Sequence, residues 1–145
     1  MNRFAYSIFC DDIRYEVNNK SSYIGIMGNL MYIPTFPAVL PKLCVSVTAN
    51  TTHDHPFESL QFKGTLGETV LFDVALEKEQ LEQMHEQAAN QIDDAKGLSA
   101  QAMFVLSPLH IQEPGKIKIS VIADGVDLEC NGMQISPAPE GMQII

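Results

Sequence analysis

The chain has no tryptophan, few basic residues and only three cysteines. Each shortage excludes something. Seven phenylalanines and four tyrosines are an ordinary inventory for a core, and the missing tryptophan counts against a carbohydrate platform, which exposes large aromatic rings. Nine Lys and Arg stand against eighteen Asp and Glu, a formal net charge of −9, and no stretch gathers the basic residues together. Nucleic-acid affinity comes largely from phosphates neutralised by lysine and arginine, so nucleic acid is a poor partner for this chain. An anionic membrane surface is disfavoured for the same reason. No apolar run approaches the length of about eighteen residues that marks a membrane-spanning helix. The apolar start around Phe4–Phe9 is broken by Ser7 and followed by Asp11-Asp12, so it does not read as an export signal. None of the cysteines forms a C-x-x-C pair. Cys10, Cys44 and Cys130 therefore read as reduced, buried thiols of a cytoplasmic protein, a structural role outweighing a catalytic one for each.

What is present is apolar alternation. The 145 residues are 46% hydrophobic with a mean hydropathy of +0.01, enough for one domain, 1–145, with its own core. Lys116-Ile117-Lys118-Ile119-Ser120-Val121 puts three aliphatic side chains on one face. Asp124-Gly125 is a strong hairpin signal, and Val126-Asp127-Leu128-Glu129-Cys130 alternates again up to Asn131-Gly132. Phe4, Tyr6, Ile8 and Cys10 share a face, as do Ile24 and Ile26 beside the bend signals Gly25 and Gly28. Leu43, Val45 and Val47 alternate with Cys44, Ser46 and Thr48. Leu60 and Phe62 read as an antiparallel partner of Val70, Phe72 and Val74, around Gly64–Gly67. Met103, Phe104, Val105 and Leu106 read as a central strand buried on both faces. The segment Ile33–Pro41 holds Pro34, Pro37 and Pro41, which cannot donate to a ladder. Its apolar character predicts an ordered connection packed on the core. From Glu77 to about Lys96, Leu81, Met84, Ala88, Ile92 and Ala95 recur at helical spacing, with Gly97 as a stop and Asp93-Asp94 ill-suited to the negative end of the dipole. The outer face of that helix carries Glu82, Gln83, Glu86, Gln87 and Asn90.

The pattern predicts a mainly β protein: an antiparallel β-sandwich, immunoglobulin-like or similar, of about eight strands with one inserted α-helix near 77–96.

Little in the chain carries chemistry. His53-Asp54-His55 has metal-ligand spacing, but Asn50-Thr51-Thr52 before it and Pro56 after it describe a loop. The remaining histidines, His85 and His110, have no evident route to that loop. Asp11-Asp12 and Asp93-Asp94 are paired carboxylates without the oxygen-rich spacing of a calcium loop. The first pair reads as a turn that caps backbone amides and pairs with Arg14. No nucleophile elbow, phosphate loop, dinucleotide fingerprint or zinc-protease motif occurs. Accordingly no catalytic, cofactor-binding or metal-ligating residue is assigned, and no cofactor is expected.

Three stretches carry a resemblance: Phe9-Cys10-Asp11-Asp12-Ile13-Arg14-Tyr15-Glu16-Val17, Lys20-Ser21-Ser22-Tyr23-Ile24-Gly25-Ile26 and Phe36-Pro37-Ala38-Val39-Leu40-Pro41-Lys42-Leu43. Their C-D-D-I-R, K-x-S-x-I-G and P-x-x-L-P-K-L pattern resembles a family of uncharacterised bacterial and phage proteins, a domain of unknown function. Asn18-Asn19 stands where that family more often has glycine, a change a turn accepts. The resemblance implies a class and a source but no mechanism. The leading expectation is a non-enzymatic, cytoplasmic protein-interaction or structural module whose partner is protein, a second copy included, acting through the proline segment or the helix face. The alternative is a small-ligand or metal-binding sandwich using His53 and His55; an unrecognised hydrolase stands third.

Overall fold

The computed structural model describes residues 3–91 and 97–142, with helix side chains followed as far as Met84. Among the described residues lie β1 (Phe4–Tyr15), β2 (Ser21–Met27), β3 (Leu30–Ile33), β4 (Ala38–Leu40), β5 (Leu43–Thr52), β6 (Leu60–Leu66), β7 (Thr69–Leu76), α1 (Lys78–Gln91), β8 (Gly97–Leu106), β9 (Leu109–Ile111), β10 (Gly115–Ala123), β11 (Val126–Leu128) and β12 (Met133–Pro137). One antiparallel sheet has the order β2-β1-β5-β8. The second runs β3-β12-β10-β6-β7, with β11 paired to the far end of β10. β4 and β9 form a separate antiparallel ribbon. Neither large sheet closes, and their inner faces share one hydrophobic cluster. From the first sheet come Phe9, Leu43, Val45 and Val47; from the second come Phe62, Ile117, Ile119, Val121, Met133 and Ile135. The Phe72 and Phe104 rings stack at 3.8 Å, which sets β7 of one sheet against β8 of the other. This is a β-sandwich-like fold, and the alternation of Ile117, Ile119 and Val121 does what the pattern asked of it.

Three features differ from the sequence expectation. Twelve strands stand where about eight were expected, because β3, β4, β9 and β12 have three to five residues each, too few to display a period. The pair β12 with β3 is parallel in an otherwise antiparallel structure. The strand expected at the centre, Met103–Leu106, is part of β8 at the edge of its sheet, and Val105 is 59% exposed. The strand covered on both faces is β5, whose outward side chains Cys44, Ser46 and Thr48 are small enough to be roofed over.

The connections follow local chemistry. Asp124 (φ 50°) and Gly125 (φ 79°) both take the left-handed conformation that a tight hairpin requires between β10 and β11. Asn18 and Asn19 do the same between β1 and β2, which explains why asparagine serves at those positions. The proline segment is ordered as expected: Ile33 is buried, and Phe36, Ala38 and Leu40 pack on the core. Asn131 serves as a staple between the sheets. Its Nδ2 donates to the Ser7 carbonyl at 2.9 Å, and its Oδ1 accepts from the Ser7 amide at 2.8 Å. That side chain stands in for the strand neighbour β1 lacks there, because β2 pairs only from Phe9 onward.

The helix begins where the composition places it. The Glu77 amide donates to Gln80 Oε1 at 2.9 Å, satisfying one of the free donors of the first turn. Leu81 is fully buried in the core and Met84 packs against it. The predicted last turn, with Ile92, Asp93-Asp94, Ala95 and Lys96, lies outside the described residues, as do the side chains of His85, Glu86, Gln87, Ala88 and Asn90. No helix among the described residues is long and apolar enough to cross a membrane.

Candidate functional site

Register fixes which residues share the outer face of the β2-β1-β5-β8 sheet, because directly opposed residues point the same way. Four rows cross it: Phe4–Asn50–Ser99, Tyr6–Thr48–Gln101, Ile8–Ser46–Met103, and Ile26–Cys10–Cys44–Val105. None of these side chains is charged. On a chain with a net charge of −9 that is a distinct surface. Phe4 and Tyr6 stack with ring centroids 6.5 Å apart and both are exposed, as are Ile26 and Val105.

Part of the face is roofed. Tyr23 Oη lies 3.0 Å from Ser46 Oγ, and Gln101 Nε2 donates to both at 3.0 Å. In the ladder, however, Tyr23 pairs with Ile13, whereas Ser46 pairs with Ile8. Five residues of flat strand span about 16 Å, far beyond a tyrosine's reach. The distal half of the β1–β2 hairpin therefore curls back over the outer face. β5 stops pairing with β1 at Cys10, and the next opposed positions on the hairpin are Asp11 and Gly25. Gly25 has φ +69°, and a Cβ built there would overlap the Asp11 carboxylate. The curl explains why Cys10, Cys44 and Ser46 are each at most 1% exposed although they sit on an outward face. Gly25→Ala is expected to cost about 1–2 kcal/mol through the left-handed backbone alone. Urea denaturation measures this, and an unchanged midpoint would mean that the bend does not depend on Gly25.

The electrostatics beneath the roof do not resemble an activated site. Burial pushes the Cys10 thiol above its ordinary value, and the opposed Cys44 and the Asp11 and Asp12 carboxylates add to it against a backbone hydrogen bond from Asp12. A nucleophilic cysteine needs the opposite shift. At the margin, Lys42 Nζ donates to Asp12 Oδ1 at 2.5 Å. That bond is the main reason the Asp12 carboxyl lies below its usual range and the Lys42 ammonium above its own. Both groups are exposed, so the pair contributes little stability.

The sequence candidates scatter. Asp11 and Asp12 lie within β1 and do not form a turn, and Asp12 pairs with Lys42 where Arg14 was expected; Arg14 faces Glu16 at 3.7 Å. The expectation failed because a strand brings in a partner thirty residues away, which local spacing cannot show. His53-Asp54-His55 forms a turn after β5, as its flanks indicated. The Asp54 carboxyl lies below its ordinary value, chiefly through a hydrogen bond with the Thr52 side chain and another with its own amide. The His55 amide donates to the Thr52 carbonyl at 3.0 Å, and the His55 carbonyl accepts from Thr51 Oγ1 at 2.6 Å. His110 stands exposed on β9 at a cleft of about 450 Å³, with Glu68 and Glu113 among its lining residues. Among the described residues no three His, Cys, Asp or Glu side chains are placed to hold a metal ion. Asp93-Asp94 lies outside the described residues.

Sequence reasoning missed the roofed face and the free edge beside it. One signal was available: β5 alternates large with small residues where a solvated strand would alternate apolar with charged. No curated protein and no solved structure matches the chain. A family model does, over residues 5–135.

Proposed function

The chain belongs to that family, a family of unknown function (DUF6941), and from this premise we propose a non-enzymatic protein-interaction module that pairs with a second copy of itself along β8. The observation that carries the reading is the free edge of β8. It runs ten residues, Gly97–Leu106, without a charge or a proline, and its ten pairs with β5 show no register shift. Among the described residues no strand pairs with its other side. Native edges are normally blunted by charge, proline, brevity or a bulge. The other edges show such devices: β7 carries Asp73 and, at Leu71, a register shift against Gly64/Thr65, β3 has four residues, and β2 turns through the left-handed Gly25.

An antiparallel β8–β8 pairing about a twofold axis is self-complementary and would join two four-stranded sheets into one of eight. The uncharged rows beside β8 suit this, since interface cores are depleted in charge and enriched in aromatic rings. Two copies bring no like charges together on these rows. Repulsion between the −9 bodies acts at longer range, where salt screens it beyond about 8 Å at physiological strength. The polar cluster under the hairpin is built of neutral groups already bonded to one another, and the thiol next to it is pushed away from thiolate; both favour a non-enzymatic role. We place the module in the cytoplasm because its cysteines are free thiols, which persist in reducing compartments.

Sedimentation equilibrium tests the reading. A dimer is expected, tightening as salt rises. Gln101→Lys, which sets two lysines near the twofold axis, and the exposed Val105→Lys should both shift it to monomer. Thermal melts monitored alongside separate lost association from lost fold. A wild-type monomer at every concentration and salt would sink the proposal.

A further inference from the structure

We propose that Cys10 and Cys44 form a dithiol that closes into a reversible cross-strand disulfide when the β1–β2 hairpin lifts. The two are directly opposed in the antiparallel ladder between β1 and β5, both are free, and both are buried under the same roof. Directly opposed residues have Cα atoms about 4.5 or 5.5 Å apart. Both values fall in the range of about 4.4–6.8 Å that a disulfide spans. Their Cβ atoms, about 4.5–5.5 Å apart in a ladder, exceed the disulfide average of about 3.8 Å. The strands must draw together to close the bond, so it would be strained and easily reduced, a switch more than a staple.

The oxidant is a small-molecule disulfide such as oxidised glutathione. One cysteine, deprotonated to its thiolate, attacks a sulfur of the oxidant; that S–S bond breaks, a mixed disulfide forms and one small thiol leaves, taking up a proton. The second cysteine then attacks the protein sulfur of the mixed disulfide, closing the Cys10–Cys44 bond and releasing the second small thiol. The protein loses two protons and two electrons, and the oxidant becomes two thiols. Because both thiols are covered, the rate is set by local opening of the hairpin, which can occur at far lower cost than global unfolding. Cys130 lies elsewhere, with Ser7 and Asn131 as neighbours, and has no opposed cysteine.

The full chain treated with oxidised glutathione in native buffer, then read by intact mass and by peptide mapping without reductant, tests this. The expected result is a mass lower by two hydrogens, a Cys10–Cys44 linked peptide, and recovery of both thiols with excess reduced glutathione. Oxidation should be faster in Gly25→Ala, which loosens the bend, and the linked peptide should vanish in Cys10→Ser and Cys44→Ser. A stable glutathione adduct on either cysteine, a bond between two copies through them, or no reaction until denaturant unfolds the chain would overturn the proposal.

Discussion

Arg3→Ala should lower the free energy of unfolding by about 3 kcal/mol, the lower end for breaking a buried ion pair, since Asp124 keeps part of its side chain in water. The Arg3 side chain is only 8% exposed, and its guanidinium uses most of its donors. Nη1 meets Asp124 Oδ2 at 2.8 Å, Nε donates to Thr51 Oγ1 at 3.0 Å, and Nη2 donates to the carbonyls of His55 and Pro56 at 3.1 and 3.2 Å. The guanidinium also lies 4.8 Å from the centre of the buried Phe57 ring. Asp124 completes the clamp by accepting the amides of Glu58 and Ser59 at 3.0 and 2.8 Å through Oδ1. One side chain thus ties the start of β1, the loop between β5 and β6 and the β10–β11 hairpin together. Arg3→Lys should rescue little, because a point charge cannot reproduce the planar fork. For a chain this size, the loss should appear as a fall in Tm of about 6–12 °C.

The clamp also sets an acid response. Burial alone would raise the Asp124 pKa, but the Ser59 amide, Arg3 and the Glu58 amide outweigh it, and the carboxyl lies below its ordinary value. A lowered folded pKa means that the unfolded chain binds the proton more readily. The stabilisation is therefore complete above the unfolded value of about 3.9, and it is lost as pH falls through the lower, folded value. Urea midpoints for wild type and Arg3→Ala should converge over that acid window. A constant gap between them would remove Asp124 from the account.

The contrast between Arg3 and Asp124 shows what the chain discloses by itself. Asp124-Gly125 announces its hairpin because a tight turn needs two left-handed residues in succession, a local demand. That Asp124 also holds Arg3 and the loop at Glu58 and Ser59 is a meeting of residues far apart in sequence, with no period to reveal it. The same division runs through the fold. β5, β6 with β7, β10 and the helix start are legible because seven or more residues, or a cap, repeat a pattern. β3, β4 and β9 are too short to repeat anything. β8 reads as central because its apolar run is the same whether a strand lies between neighbours or at the edge of its sheet; composition cannot distinguish these. The curled hairpin was half visible in Gly25. A glycine between Ile24 and Ile26 signals a bend, and the direction of the bend appears only in the hydrogen bonds of Tyr23.

Leu81→Ala is the second large effect expected, about 3 kcal/mol within the 2–5 kcal/mol range for emptying a buried leucine site. The helix follows β7 in the chain and precedes β8, the edge strands that the Phe72–Phe104 stack brings face to face, and Leu81 anchors it in the core that the two sheets share. Among its described side chains, Leu81 is the only one fully buried in the core, and Met84 packs beside it. Neighbouring Lys78, Glu79, Gln80, Glu82 and Gln83 are exposed. A helix of fourteen residues is marginal in water by itself, so its order must come from what it docks into. Removing the leucine should open a cavity between the sheets and loosen the helix together. Helical circular dichroism should fall at temperatures where the sheet signal persists, and the urea midpoint should drop. Leu81→Met, which keeps the volume, should cost less than about 1.5 kcal/mol. If Leu81→Ala instead costs less than about 0.5 kcal/mol, the level of an ordinary surface change, the helix does not plug the sandwich, and the core ends at the two sheets.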